Sequence, residues 1–216
     1  MFVRYMTTGP RCARCSMRPD LCICASLPRI ETKTRVSLIL HSLESTKSTN
    51  TGRLAVECLT NSEKFVFGAR APLPARVWPE GARPVVLFPI ANARPVTDFA
   101  GDGLCLIVLD ASWRQAARLR KRFASRNIPF AQVPPGGPSQ YALRAEPHAR
   151  GLSTLEAIAR SLQALEGGTI EADMLRPFSQ FQDRTLWLRG DKTTDAVEGG
   201  IPDGVVRHRS YDAELK

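Results

Sequence analysis

LCLIVLDASWRQA, residues 104–116, carries the clearest architectural signal in this chain of 216 residues. Its first six residues form an uninterrupted apolar run, which is typical of a parallel strand buried on both faces. The strand ends at Asp110, and from Trp113 onward apolar side chains recur at helical spacing. A buried strand that leads into a helix predicts an α/β fold with a parallel sheet. Ligands of such sheets bind at the carboxyl ends of the strands, where Asp110 lies.

Other segments show the same two patterns. Apolar runs predict further strands at residues 35–40, 64–67, 85–88 and 128–133, and a helix is expected near residues 53–59. Another helix starts at Ser153, because S-T-L-E forms a capping box with Glu156, and it stops at Gly167-Gly168. The free N–H groups at its start favour a carboxylate or phosphate ligand, although ordinary capping explains Ser153 equally well.

Four of the six cysteines crowd into the first 24 residues with the spacing C-x2-C-x6-C-x-C. Two close pairs joined by a short turn can wrap one tetrahedral metal ion, so we expect a structural zinc site. Free thiols and an iron–sulfur cluster are the alternatives. The predicted ligands are Cys12, Cys15, Cys22 and Cys24.

A basic tract follows the predicted strand end. Residues 111–145 contain no acidic side chain but seven arginines and lysines, and the whole chain has 30 basic against 21 acidic residues, a net charge of +9. A charge run is often only a solvated face, but the lack of any compensating acid favours a polyanionic partner. We therefore expect the helix after Asp110 to contact nucleic acid.

The D-A-S-W stretch, residues 110–113, combines a carboxylate, a hydroxyl and an indole at the strand end. The carboxylate of Asp110 can accept a proton, and the indole of Trp113 can stack on a base or on adenine. The alternative interpretation makes Asp110 a helix cap and Trp113 a core residue. Chemistry alone leaves these two interpretations open.

Several protein classes are excluded by what the sequence lacks. No P-loop, G-x-G-x-x-G or H-E-x-x-H motif is present, which argues against nucleoside triphosphatases, dinucleotide oxidoreductases and zincin proteases. The longest apolar run has six residues, whereas a membrane span needs roughly 20. No signal-peptide pattern opens the chain, so we expect a cytoplasmic protein without a membrane partner. Nothing predicts an obligate protein partner.

Several motifs together resemble the DTW-domain family, the tRNA-uridine aminocarboxypropyltransferases. They are the cysteine cluster, H-S-L-E…T-G-R-L-A from His41, L-D-A-S-W-R-Q-A from Leu109, S-Q-Y-A-L-R from Ser139 and L-S-T-L-E-A from Leu152. The resemblance covers most of the chain, from Cys12 to about Leu165. Ser112 stands where the family has a threonine, so the hydroxyl is retained and a methyl contact is lost.

The resemblance implies a SPOUT-like α/β fold with a C-terminal knot around S-adenosylmethionine. We expect three segments: a zinc-binding module at 1–30, a catalytic domain at 31–188 and a polar tail at 189–216. The resemblance also implies transfer of the 3-amino-3-carboxypropyl group to N3 of a tRNA uridine, with release of methylthioadenosine.

The resemblance further implies roles for individual residues. Asp110, Ser112 and Trp113 would be catalytic, with Asp110 as general base or proton-orienting group. Contacts to S-adenosylmethionine are expected from Leu109, Ser139, Leu143, Arg144, Leu152, Ser153 and Thr154. Contacts to tRNA are expected from Arg53, Arg114, Arg118, Lys121 and Arg122. Arg53 and Arg144 are also candidates for the carboxylate of S-adenosylmethionine.

Two other functions remain open. An RNA methyltransferase of the same fold would use the same donor but release S-adenosylhomocysteine. A zinc-containing RNA-binding protein without catalysis would explain the cysteines and the basic tract, but not the D-A-S-W stretch at a strand end.

Overall fold

A computed structural model describes residues 10–68, 71–143 and 151–207. The strands are β1 Arg35–His41, β2 Ser62–Phe67, β3 Arg83–Leu87, β4 Arg94–Pro95, β5 Leu104–Asp110 and β6 Phe130–Gln132. The helices are α1 Ser42–Ser45, α2 Thr51–Cys58, α3 Trp113–Ala124, α4 Thr154–Glu166 and α5 Ile170–Arg189.

The six strands form one sheet in the order β2-β1-β5-β3-β6-β4, and all of their pairings are parallel. The predicted α/β class with a parallel sheet is therefore confirmed. Leu40 of β1 pairs with Asp110 of β5, so these two central strands end side by side. Their carboxyl ends form the edge at which the candidate site is built.

The sheet is covered on both faces, as the apolar run of β5 predicts. Leu106 and Val108 pack into a core shared with α2, α4 and α5, whereas Ile107 packs into a second core with Ala116 and Phe123 of α3. Successive residues of a strand point to opposite faces, so a strand covered on both sides, such as β5, is apolar along its length up to Asp110. No helix in the described ranges is both long and apolar enough to cross a membrane.

α5 is a helix that apolar periodicity does not indicate. It contains Pro177, and its buried residues include Gln180, Gln182 and Arg184. Its amphipathic pattern is blurred because these polar side chains face inward, where Gln182 and Arg184 bond to backbone groups outside the helix. The Gln182 amide oxygen accepts from the backbone N–H of Ala142 at 2.6 Å.

Arg184 joins three parts of the chain inside the core. Its side chain donates to the carbonyl oxygens of Leu21 and Cys22 in the cysteine segment and of Gly199 and Gly200 after α5. Arg184 is 6% exposed. Burial lowers its pKa, an effect opposed by the nearby Cys22 and Cys15 sulfurs.

Arg184→Met should destabilise the fold strongly, because a side chain of similar length would leave these buried carbonyl oxygens without donors. We expect a loss of about 2–4 kcal/mol in the free energy of unfolding in urea. Arg176→Met on the same helix is the control, since the Arg176 side chain is 74% exposed. The control should change by less than about 0.5 kcal/mol. Equal losses in both variants would contradict the structural role of Arg184.

Candidate active site and cysteine cluster

The carboxylate of Asp110 is buried where three elements meet. Its Oδ2 accepts from Asn50 Nδ2 at 2.7 Å, and its Oδ1 accepts from Thr154 Oγ1 at 3.2 Å. Asn50 caps α2, since its Oδ1 accepts from the Arg53 N–H at 2.8 Å. Thr154 is the first residue of α4. Asp110 thus holds the beginnings of α2 and α4 against the end of β5.

Gly52 makes this close packing possible. A Cβ atom at this position would lie 2.1 Å from Oδ2 of Asp110 and 3.1 Å from a methyl carbon of Thr154. Any side chain would therefore push the carboxylate or the helix away. Asn50 and Gly52 were not among the predicted site residues, although the T-G-R-L-A stretch that contains Gly52 carried part of the family resemblance.

Arg53 is half-buried behind Asp110. Its guanidinium donates to the carbonyl oxygen of Ser45. Burial lowers its pKa, while the negative charge of Asp110 acts in the opposite direction. Arg53 therefore contributes positive charge to the carboxyl edge of the sheet rather than to the exposed face of α3.

Glu156 organises the segment that precedes α4. Its carboxylate accepts from Ser139 Oγ at 2.7 Å, from the Gln140 N–H at 2.6 Å and from the Ser153 N–H at 2.8 Å. The predicted capping box with Ser153 is confirmed. The structure thus brings Ser139 and Ser153 together on Glu156, while the next residue, Thr154, donates to Asp110.

The start of α4 is only partly available to a ligand. The Glu156 N–H is used by Ser153 Oγ, and the Leu155 N–H points at Thr51 Oγ1 at 3.5 Å. Leu109 and Leu152 are partly buried, whereas Leu143 is buried and its carbonyl accepts from Arg189. Arg144 lies outside the described residues.

Ser112 and Trp113 open α3. Ser112 caps the helix and forms a capping box with Gln115, so its hydroxyl is already used by the chain. Trp113 is 38% exposed and packs at 5.8 Å against Phe88. The interpretation of Asp110 as the helix cap and Trp113 as a core residue is therefore wrong.

The basic face of α3 is only partly free. Arg114, Arg118 and Lys121 are exposed, and no ion pair or side-chain hydrogen bond of theirs is formed within the described ranges. Arg122 differs, because it donates to the carbonyl oxygens of Leu73 and Pro74. The structure thus keeps three of the four predicted α3 cations available and uses the fourth to hold a loop.

The four clustered cysteines converge as their spacing predicts. All four sulfur atoms lie within 4.8 Å of one another, with contacts of 3.5 Å between Cys12 and Cys24 and 3.7 Å between Cys15 and Cys22. A tetrahedral centre with metal–sulfur bonds of about 2.3 Å has sulfur–sulfur edges of about 3.8 Å. The cluster therefore fits one metal ion.

The thiols differ in acidity. Burial acts to raise the pKa of Cys12, but hydrogen bonds from the Cys15 and Arg14 backbone and contacts with Cys24 and Cys22 lower it to about 6. Burial raises the pKa of Cys15 and of Cys24. A cation is needed to hold four thiolates this close together.

The other two cysteines, Cys58 and Cys105, are buried in the core. Burial raises the pKa of Cys58 to about 12 and also raises the pKa of Cys105, as expected for inert core thiols.

Comparison with known proteins identifies relatives. The chain is 31% identical over 182 residues to tRNA-uridine aminocarboxypropyltransferase 2 of Macaca fascicularis, an alignment that covers 78% of the chain and 61% of that relative. The mouse protein of the same name is 28% identical, with 81% and 63% covered. tRNA-uridine aminocarboxypropyltransferase A of Arabidopsis thaliana is 29% identical, with 81% of each covered.

The chain thus spans about three fifths of the length of the first two relatives. No solved structure matches it. A model of the DTW domain matches residues 9–186, which include the cysteine cluster, Asp110 and the Glu156 network. The chain therefore belongs to the DTW-domain family.

Proposed function

We propose that this protein transfers the 3-amino-3-carboxypropyl group of S-adenosylmethionine to N3 of a tRNA uridine and releases methylthioadenosine. The names of its relatives support this reaction. The observation that carries the proposal is the Asp110 carboxylate, buried at the end of a central parallel strand and bonded to the starts of α2 and α4 through Asn50 and Thr154. This is the edge where parallel sheets bind their ligands.

Asp110 has the chemistry of a general base for this reaction. Uridine N3 loses a proton as its bond to the transferred carbon forms and the carbon–sulfur bond breaks. S-adenosylmethionine supplies the carbon electrophile and the leaving thioether. The Asp110 carboxylate accepts hydrogen bonds from Asn50 and Thr154, which orient it at the end of β5. A carboxylate held in this orientation can accept the N3 proton.

The segment around Glu156 supplies the proposed contacts to S-adenosylmethionine. Ser139, Leu109 and Leu152 are only partly buried, so each retains surface for a ligand. The positive end of the α4 dipole and the charge of Arg53 favour the carboxylate of the donor. Trp113 would stack on a base or on adenine, and Ser112 would position it by capping α3.

The finer architecture belongs to the same proposal. A SPOUT-like fold with a C-terminal knot is supported by the all-parallel sheet and by the return of α4 to the end of β5. We retain the division into a module at 1–30, a catalytic domain at 31–188 and a tail at 189–216, and a cytoplasmic location.

We also propose that the cysteine cluster holds structural zinc. Four cysteine sulfurs with nearly tetrahedral spacing leave no open coordination position for a substrate. The ion would stabilise the segment before β1, which is packed against the core through Met17 and Leu21.

Turnover with unmodified tRNA tests the reaction directly. We expect aminocarboxypropyl-uridine and methylthioadenosine in equal amounts by mass spectrometry. Methylated nucleoside together with S-adenosylhomocysteine would show that the protein transfers a methyl group instead. Binding of tRNA without any product would favour the non-catalytic alternative.

In the same assay, Asp110→Asn should lower turnover by about 10²–10⁴-fold, because an amide cannot accept the N3 proton. Binding of S-adenosylmethionine, measured by calorimetry, should persist. Asp102→Asn is the control, since Asp102 precedes the other end of β5. Full turnover by Asp110→Asn would exclude the role as base.

Charge reversal on α3 tests the RNA surface. The double variant Arg118→Glu, Lys121→Glu should weaken tRNA binding about tenfold or more at low salt and should flatten its salt dependence. Arg176→Glu on α5 reverses an exposed charge on another helix and should have little effect. If the control weakens binding equally, only net charge matters and α3 is not the binding face.

Metal analysis tests the cysteine cluster. Purified protein should contain about one zinc per chain, and Cys22→Ser should lose most of it. Cys105→Ser should retain the metal, because Cys105 is buried in β5 beside Ser37. Iron with acid-labile sulfide would contradict zinc, and equal metal content in both variants would contradict the site.

A further inference from the structure

Exposed apolar side chains lie near the carboxyl ends of three strands of the sheet. In the described part of the chain, four large apolar residues are exposed: Leu43 at 63%, Val206 at 55%, Val66 at 39% and Trp113 at 38%. Three of these four lie within three residues of the end of β1, β2 or β5. Single exposed apolar residues need no explanation, but a group beside a candidate active site indicates a binding surface.

His41 connects this group to the candidate site. Its ring meets Phe67 edge-on at 5.0 Å, and its Nδ1 accepts from the Leu43 N–H at 3.1 Å. Its Nε2 lies 3.1 Å from the amide nitrogen of Gln115. The Gln115 amide oxygen is fixed by the backbone N–H and the hydroxyl of Ser112. The imidazole therefore lies between the end of β1 and the first turn of α3.

The same first turn carries Trp113, and the exposed cations Arg114, Arg118 and Lys121 follow along α3. The apolar group thus borders a helix whose charge is not compensated. Aromatic and apolar surface beside a positive track is the combination that binds unpaired nucleotides, since bases stack while phosphates meet the cations.

We propose that His41, Leu43, Phe67 and Trp113 form a base platform that stacks on the unpaired nucleotides flanking the target uridine. This inference rests on the proposed function, because Asp110 fixes where the uridine must sit. The platform selects uridines in loops, since the bases of a duplex are stacked on one another and cannot reach it. It adds His41, Leu43 and Phe67 to the residues that recognise the substrate.

The test compares single-stranded and duplex RNA. Fluorescence anisotropy at low salt would measure binding of a 12-nucleotide oligouridine and of a 12-base-pair RNA duplex. We expect Leu43→Ser and His41→Asn each to weaken binding of the single strand about 3- to 10-fold and to leave binding of the duplex unchanged. Asn at position 41 still offers an oxygen to the Leu43 N–H, so α1 keeps its cap. Val206→Ser is the matched control, since it removes an equally exposed apolar residue elsewhere.

Equal weakening on both RNAs would overturn the platform, as would unchanged binding of the single strand. A matching loss in Val206→Ser would do the same. The turnover assay separates the two proposals. Selective loss of single-strand binding without any nucleoside product would leave the platform standing and remove the proposed reaction. If aminocarboxypropyl-uridine is formed but Leu43→Ser and His41→Asn bind the single strand as the unchanged protein does, the proposed reaction would stand and the platform would be excluded.

Discussion

The carboxylate of Asp110 is buried at the end of a central strand and is held by hydrogen-bond donors. Asn50 and Thr154 supply those donors from the starts of two helices, and Gly52 lets α2 approach within reach. A buried carboxylate without partners would be costly, so the two helix starts cannot move independently of β5. The geometry of the carboxyl edge therefore follows from satisfying one charge.

Glu156, in the first turn of α4, is a second buried carboxylate that is held by hydrogen bonds. Its carboxylate is 2% exposed and is bonded by one hydroxyl and two backbone N–H groups. Ser153 donates to Glu156 and the adjacent Thr154 donates to Asp110, so the beginning of α4 connects the two carboxylates. In the proposed reaction, donor binding and proton removal would then be positioned by the same helix start.

Sequence patterns predicted the parts of the fold that are local. The apolar run of β5, the capping box at Ser153 and the cysteine spacing each need only neighbouring residues, and each is confirmed. Asn50 and Gly52 were not predicted as site residues, because their role depends on Asp110, which is about 60 positions away in the sequence. α5 escaped because its buried polar side chains bond to distant loops, which hides the amphipathic pattern.

The negative charge of the proposed metal centre would explain why the charged side chain of Arg184 can be buried. No carboxylate in the described ranges forms an ion pair with it, and carbonyl dipoles alone surround its guanidinium. Four thiolates around one divalent ion carry a net charge of about −2, and Cys22 and Cys15 are the groups that favour the charged form of Arg184. In the proposed zinc-bound protein, the arginine and the metal centre thus compensate each other. The same guanidinium donates to the carbonyl oxygens of Gly199 and Gly200, so in the proposed zinc-bound protein metal binding would be energetically coupled to the packing of the segment after α5.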